Sequence, residues 1–330
     1  MIYAAAITGP TASGKTALSV RAAAALGATV ICADSMQIYK EMTVGTAKVL
    51  PEEMEGVPHR MLDVCSVLED FSVHDYKEMA LPLARRDAEA GRMPIFVGGT
   101  GLYLAALTRG EEATPARSEE YMSRHAAMAE TEEGRELLHR RLREVDPESA
   151  EKIHKNNVRR VLRALEIFDT TGKTKSEWDR ESLACEGEIR ILHITLDFHS
   201  RELLYGRIDR RVRLMMEQGI LAEVTALYEK GMLSADTAAM GAIGYKEFLP
   251  YFRGECDLAA VEEAICLGTR RYAKRQQTWF RRLEGVHRIY LDTEDGQMRP
   301  AEEVLSEMMA LLSPYAEAHY GAVRKYEETL

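Results

Sequence analysis

At 330 residues the chain is long enough for two domains, or for one core carrying a large insertion. Its 46% apolar and 29% charged residues exclude a disordered chain, and no apolar run approaches the roughly 20 residues a membrane-spanning helix needs. A net charge of −10 excludes a surface that is basic throughout, though not a local basic groove.

From Met1 the chain runs into an apolar segment with no basic stretch before it, so no secretory leader is expected and the protein reads as cytoplasmic. Residues 3–8 and 29–33 are short apolar runs with a helical pattern over 16–26 between them, the β-α-β signature of a parallel sheet. A helical pattern over 73–90 leads to a third strand at 94–97. The sequence then turns charged and helix-forming over 112–188, returns to a strand at 190–196, and becomes helical again from about 200 to 283. The expected fold is α/β: a P-loop NTPase-like parallel sheet flanked by helices, interrupted by a helical insertion domain. The corresponding segments are 1–111 and 189–313 for the core, 112–188 for the insertion, and 314–330 for a polar C-terminal extension. Cys32, Cys65, Cys185, Cys256 and Cys266 are scattered singly, which fits reduced thiols and neither a disulfide framework nor a zinc finger.

Residues 9–16, GPTASGKT, match G-x-x-x-x-G-K-S/T after a strand and before a helix, the context that gives this motif its meaning. Backbone N–H groups of Gly9, Thr11, Ala12, Ser13 and Gly14 are expected to turn around phosphate oxygens, helped by the positive end of the helix. Lys15 adds a full charge, and Thr16 offers its hydroxyl to a Mg²⁺ bridging the phosphates. The motif specifies a di- or triphosphate without saying which. The strand at 94–97 ends in GGTGLY (98–103) with no carboxylate, whereas the strand at 29–33 ends in Asp34. A carboxylate at that edge of a parallel sheet faces the ligand crevice. It serves there as a general base on an acceptor, as a group ordering water around Mg²⁺, or as a cap for the following turn.

Two segments are basic within the acidic whole. Arg159, Arg160 and Arg163 lie opposite an apolar stripe of Val158, Val161, Leu162, Leu165 and Phe168. Residues 270–282 carry Arg270, Arg271, Lys274, Arg275, Arg281 and Arg282 with no acid among them, beside the periodicity of Tyr272, Trp279 and Leu283. Taken alone, such runs read as solvated helix faces.

The strings GPTASGKT (9–16), DSMQIY (34–39), GTAK (45–48), PHR (58–60), GGTGLY (98–103), RALE (163–166), IGYKE (243–247) and KRQQTWFR (274–281) occur in this order along the chain. Together the set resembles the bacterial-type tRNA dimethylallyltransferases, or tRNA isopentenyltransferases, over nearly everything but the tail. The resemblance implies transfer of the five-carbon group of dimethylallyl diphosphate to the exocyclic N6 amine of adenosine 37 in tRNA, with release of diphosphate. It implies Asp34 as the base, Thr100 helping to position the adenosine, and Arg211 reaching the diphosphate from the far side. Thr100 read on its own is a turn hydroxyl for the Gly98-Gly99 backbone, and Arg207, Arg210 and Arg213, taken singly, read as a solvated face. The tRNA surface carried over comprises Asp34, Ser35, Met36, Gln37 and Thr100; Arg159, Arg160 and Arg163; Gly241, Gly244 and Lys246; and Lys274, Arg275, Gln276 and Arg281. The adenosine is expected to be flipped out of its stack toward Asp34 and Thr100, with Trp279 and Tyr272 as core residues. A monomer is expected. The chain reads His154-Lys155-Asn156-Asn157 where the family often has His-x-Asn-Asp, which puts a local cap in question. An isopentenyltransferase acting on free adenylate, a small-molecule kinase and an NTP-switched nucleic-acid binder share parts of this pattern; the first would have no use for the two basic helices.

Overall fold

The apolar run at the N-terminus becomes the middle of a sheet. The strands are β1 (Ile2–Thr8), β2 (Thr29–Cys32), β3 (His59–Arg60), β4 (Pro94–Val97), β5 (Ile189–Asp197) and β6 (His287–Tyr290), in the order β3-β2-β4-β1-β5-β6. Every pairing is parallel, and β5 follows β1 along its whole length, from Ile2 beside Ile189 to Thr8 beside Thr195. The structure, a computed structural model, describes residues 1–108, 118–184, 187–234 and 237–321. Positions 111 and 112, Cys185 and residues 322–330 lie outside these.

The helices in chain order are α1 (Lys15–Leu26), α2 (Val73–Glu89), α3 (Gly101–Thr108), α4 (Glu119–Glu130), α5 (Glu132–Val145), α6 (Pro147–Lys152) and α7 (Val158–Thr171). They continue with α8 (Lys175–Ala184), α9 (Arg201–Glu217), α10 (Ile220–Glu229), α11 (Ala238–Gly241), α12 (Leu249–Phe252), α13 (Leu258–Arg281) and α14 (Ala301–Tyr320). The chain divides into two compact units, Met1–Leu107 with Ile189–Leu330, and Thr108–Glu188.

In the first unit the sheet is buried on both faces, which is why its strands are continuous apolar runs rather than alternating ones. Ala5 and Ile7 of β1 join one core with Leu18, Ala22 and Ala23 of α1, Ile208 and Val212 of α9, and Met308 and Leu312 of α14. Ala4 and Ala6 point the other way, into a core with Phe96, Tyr76 and Ala80 of α2, and Tyr103 and Leu104 of α3. The second unit is built from neighbours in sequence: α5 packs on α4, α6 and α7 around Leu138, Leu142, Val161 and Leu165. Asp146 caps α6 through Ser149 N and also accepts from Ser176 N, both at 3.0 Å. No helix among the described residues is long and apolar enough to cross a membrane.

Three details depart from the sequence reading. Among the described residues the helical stretch after residue 200 is five α-helices, broken first at Gly219, whose φ of 95° ends α9's continuation. The short strands β3 and β6 carry no alternating or apolar run that would announce them. Pro314, where a separate extension was expected to begin, lies inside α14, because the buried spacing Val304, Met308, Leu312, Ala316 carries the helix past it.

Candidate active site

β1 hands directly into the phosphate loop. Gly9 has a φ of 145°, and a Cβ there would lie 2.6 Å from Leu196 O at the end of β5, so only glycine lets the two strand ends approach. Ala12 is held in the left-handed region at φ 63°, a conformation a non-glycine residue keeps only where its surroundings enforce it. Those surroundings are visible. Arg207 Nε of α9 donates to Ala12 O at 2.8 Å, and Thr11 N donates to Gln276 Oε1 of α13 at 2.9 Å. The first turn of α1 contains no acidic residue, leaving its positive end open to an anion. Ser13 Oγ is buried in the loop with no hydrogen-bond partner among the described residues.

Lys15 donates to Pro10 O at 3.4 Å. Burial first, and then the neighbouring Arg211 guanidinium, push its ammonium down to about 8, with Asp34 opposing them. Arg211 is itself lowered by burial and reaches Thr46 O at 3.3 Å. Asp34, half-buried at the end of β2, accepts from Met36 N through Oδ1 at 2.9 Å; Oδ2 takes no hydrogen bond among the described residues. Lys15, Cys32, Asp34, Gln37 and His59 share the wall of a cavity of about 30 Å³, room for one water.

The loop after β4 lies against β2. A Cβ on Gly98 would lie 2.1 Å from Ala33 O, and one on Gly99 would lie 2.0 Å from Gln276 Nε2, so this glycine pair exists for close approach. The Thr100 hydroxyl accepts from Ser35 N at 3.0 Å and lies 3.3 Å from Ser35 Oγ, so it serves the turn after β2 rather than the Gly98-Gly99 backbone. The Tyr272 phenol lies beside Thr100 and Gln276, and burial pushes its pKa up. Two cations, one carboxylate, two hydroxyls and the phosphate loop therefore meet at the C-terminal edge of the sheet. This arrangement can hold an anionic leaving group beside a base.

The family model described as IPP transferase matches residues 37–283. The chain belongs to the IPP transferase family. Among curated members, the tRNA dimethylallyltransferase of Bacillus cereus is 44% identical over 294 residues, covering 89% of this chain and 90% of the relative. That of Geobacillus kaustophilus is 45% identical over 307 residues, covering 93% and 96%. The crystal structure of the full-length tRNA isopentenylpyrophosphate transferase from Bacillus halodurans superposes with a TM-score of 0.71 at 37% identity, covering 97% of this chain and 98% of that one. A eukaryotic dimethylallyltransferase captured acting on tRNA superposes at 0.77 with 29% identity, covering 99% of this chain and 82% of that one.

For this IPP transferase the structure separates the sequence-derived nucleic-acid contacts into exposed and committed groups. Lys274 and Arg275 are exposed on α13, where with Trp279, 39% exposed, they line a cleft of about 470 Å³. Trp279 is thus half surface and not core, its ring laid over Gly101. Lys246 and Gly241 are exposed, and so are Arg159 and Arg160, which carry no ion pair among the described residues. Asn157 begins α7 without a side-chain capping bond.

Other members are used internally. Gln37 Nε2 donates to Thr46 O and Ala47 O at 3.2 and 3.3 Å. Arg163 pairs with buried Glu166 at 2.7 Å. Gly244 is buried, its amide donating to Glu247 Oε2 at 2.9 Å. Gln276 is 4% exposed with both amide atoms engaged, and Arg281 Nε pairs with Asp197 Oδ2 at 2.9 Å. Thr11's amide, spent on Gln276, is likewise not turned toward a phosphate.

Two groups that hold the site have no motif to reveal them. Glu223 of α10 accepts from Thr43 N, Val44 N and Gly45 N at 2.9, 2.7 and 3.0 Å and from Tyr245 Oη at 2.7 Å. It fixes the loop whose Thr46 carbonyl receives both Gln37 and Arg211. Arg207, which read as a solvated face, is the second. Its partner is a carbonyl, and no carboxylate lies at the expected spacing to betray it.

Proposed function

We propose that this IPP transferase moves the dimethylallyl group of dimethylallyl diphosphate onto the N6 amine of adenosine 37 in tRNA and releases diphosphate. The observation that carries the reading is the meeting of Lys15, Arg211 and Asp34 beside the phosphate loop, with the basic outer face of α13 rising from the same edge. An exocyclic amine is a poor nucleophile. In this reading Asp34 accepts the N6 proton through its open Oδ2 as the new C–N bond forms and the C–O bond to diphosphate breaks. Its Oδ1 stays tied to Met36 N, which fixes the carboxylate's direction. The loop amides of Ala12 and Gly14 with Lys15, Thr16 and Arg211 take the growing charge of the leaving group, the kind of preorganised stabilisation worth most in a water-poor site. Thr100 and Tyr272 flank the space left for the flipped base.

The residues present suit a Mg²⁺ on the diphosphate. Thr16 opens α1, and Ser13 Oγ is a buried oxygen without a partner among the described residues. The described residues offer no cluster of three His, Cys, Asp or Glu side chains, so most of the ion's oxygens would come from diphosphate and water, as Mg²⁺ prefers. When bound, the ion neutralises charge on the departing diphosphate. The protein would work in the cytoplasm as a monomer, with Arg159, Arg160, Lys246, Lys274 and Arg275 meeting tRNA phosphates.

The test is prenyl transfer from labelled dimethylallyl diphosphate with Mg²⁺, offered unmodified tRNA and AMP in parallel. Label in tRNA alone is the expected result. Label in AMP assigns a free-nucleotide enzyme, and label in neither refutes prenyl transfer.

A further inference from the structure

Among the described residues, Gln276 is the one whose side chain bonds to both loops of the active site. Its Oε1 accepts from Thr11 N in the phosphate loop at 2.9 Å, and its Nε2 donates to Gly99 O in the loop carrying Thr100 at 3.2 Å. It is buried, in contact with Tyr272, and packed so closely on Gly99 that a Cβ there would lie 2.0 Å from Nε2. One amide thus spans from residue 11 to residue 99, while its neighbours Lys274 and Arg275 face outward.

We propose that Gln276 is a positioning residue which sets the phosphate loop against the Gly98–Thr100 loop, and so sets the diphosphate at a fixed distance from the acceptor, rather than a contact to tRNA. The proposal rests on the function given above. The chemistry follows from the two bonds. Thr11 precedes Ala12, whose left-handed backbone makes the turn that Ser13 N closes by donating to Pro10 O at 3.3 Å, and Gln276 and Arg207 both bond to that turn. Without the glutamine amide the turn loses its bond at Thr11 N, and Gly99 O loses its donor. A buried carbonyl and a buried N–H left unpaired together favour rearrangement of both loops, and a shift near 1 Å in reacting groups costs about 100-fold in rate.

Two variants test this. Gln276→Met keeps the side chain's volume and removes both polar atoms; Gly99→Ala leaves the glutamine in place and displaces its amide. In each, affinity for inorganic diphosphate with Mg²⁺, measured by calorimetry, should fall by about 10-fold, the value of a lost hydrogen bond in a tight site. The turnover number at saturating donor and tRNA should fall by about 100-fold, while retention of unmodified tRNA on a filter stays within about 2-fold of wild type. Weakened tRNA retention with diphosphate affinity and turnover intact would make Gln276 a tRNA contact and overturn the proposal. Losses in proportion to a lowered folded fraction, read by thermal melting, would reduce it to general stability and also overturn it. If Gln276→Met does not fold, Gly99→Ala decides, and wild-type behaviour there is refutation. Wild-type protein that binds diphosphate yet transfers nothing to tRNA would refute the proposed function, while the two diphosphate affinities would still decide the role of Gln276.

Discussion

Arg281 and Arg275 lie on one basic helix, yet replacing them should have opposite consequences. Asp197 ends β5 with a side chain only 2% exposed, and Arg281 reaches it with Nε at 2.9 Å and Nη2 at 3.3 Å. Gln277 Nε2, at 2.6 Å, and Phe198 N, at 2.9 Å, bond to the same Oδ1. Arg281→Ala leaves that carboxylate with two donors, both on one oxygen, and with no countercharge. A lost charge-assisted hydrogen bond costs about 1.5–3 kcal/mol. Because Arg281 is 48% exposed, water enters behind the truncated side chain and holds the cost near 2 kcal/mol. For a protein of this size that is a drop of roughly 3 °C in melting temperature. Arg275 has no such partner among the described residues; its guanidinium lies 5.6 Å from the Tyr272 ring, and its removal should move stability by less than about 0.5 kcal/mol. The assay pairs thermal melting with the salt dependence of tRNA binding. Arg275→Ala should keep the melting temperature and flatten the log–log salt slope by about one counterion; Arg281→Ala should lower the melting temperature and keep the slope. A full melting temperature with a flattened slope for Arg281→Ala would refute the reasoning and return that arginine to the tRNA surface.

Asp34→Asn should cut single-turnover prenyl transfer by about 10²–10⁴-fold, the usual worth of a general base, with donor KM changed only a few-fold; a rate within threefold of wild type would remove Asp34 from that role. The free protein's Lys15 titrates near 8, so its charge is present below that pH and lost above it. The pH profile of kcat/KM for the donor should therefore fall through about 8, by up to tenfold per unit, and Lys15→Arg should lose that limb because its charge persists. Glu223→Ala strips the acceptor from three backbone amides and a phenol; it should cost about 3 kcal/mol or more by denaturant titration and lower turnover through the displaced Thr46 carbonyl. A stability within about 0.5 kcal/mol of wild type would mean water replaces that carboxylate.

What could be read in advance was local. The phosphate loop is a run of eight residues between a strand and a helix, and Asp34 is a carboxylate ending an apolar strand. Spacing carries such features because neighbours in sequence remain neighbours in the fold. The direction a polar side chain takes is not local. Gln276 meets Thr11, and Arg281 meets Asp197, across separations that no periodicity encodes. A glutamine and an arginine on a cationic helix look alike on paper whether they face solvent or brace a loop. Gly244 carries the same lesson in reverse: its place in a recognisable string says nothing of the Glu247 carboxylate that already occupies its amide. The strands β3 and β6 escaped for another reason, being short edge segments whose pairing depends on what their neighbours present.

The order of strands in the sheet also dictates a timetable for synthesis. β1 is made first, and β4 can pair with one of its edges once Val97 has emerged, but the partner for the other edge is β5, beginning at Ile189. At about 5–20 residues per second, that interval lasts roughly 5–20 s. Throughout it the nascent chain carries an open strand edge of sequence IYAAAIT, apolar and without a charge to discourage pairing with a neighbour. The segment made meanwhile is the helical unit, whose α4–α7 contacts all lie within that one segment, so it can fold as it appears instead of competing for that edge. Substitutions that melt this unit should therefore lower soluble yield during synthesis well before they lower the stability of the finished sheet.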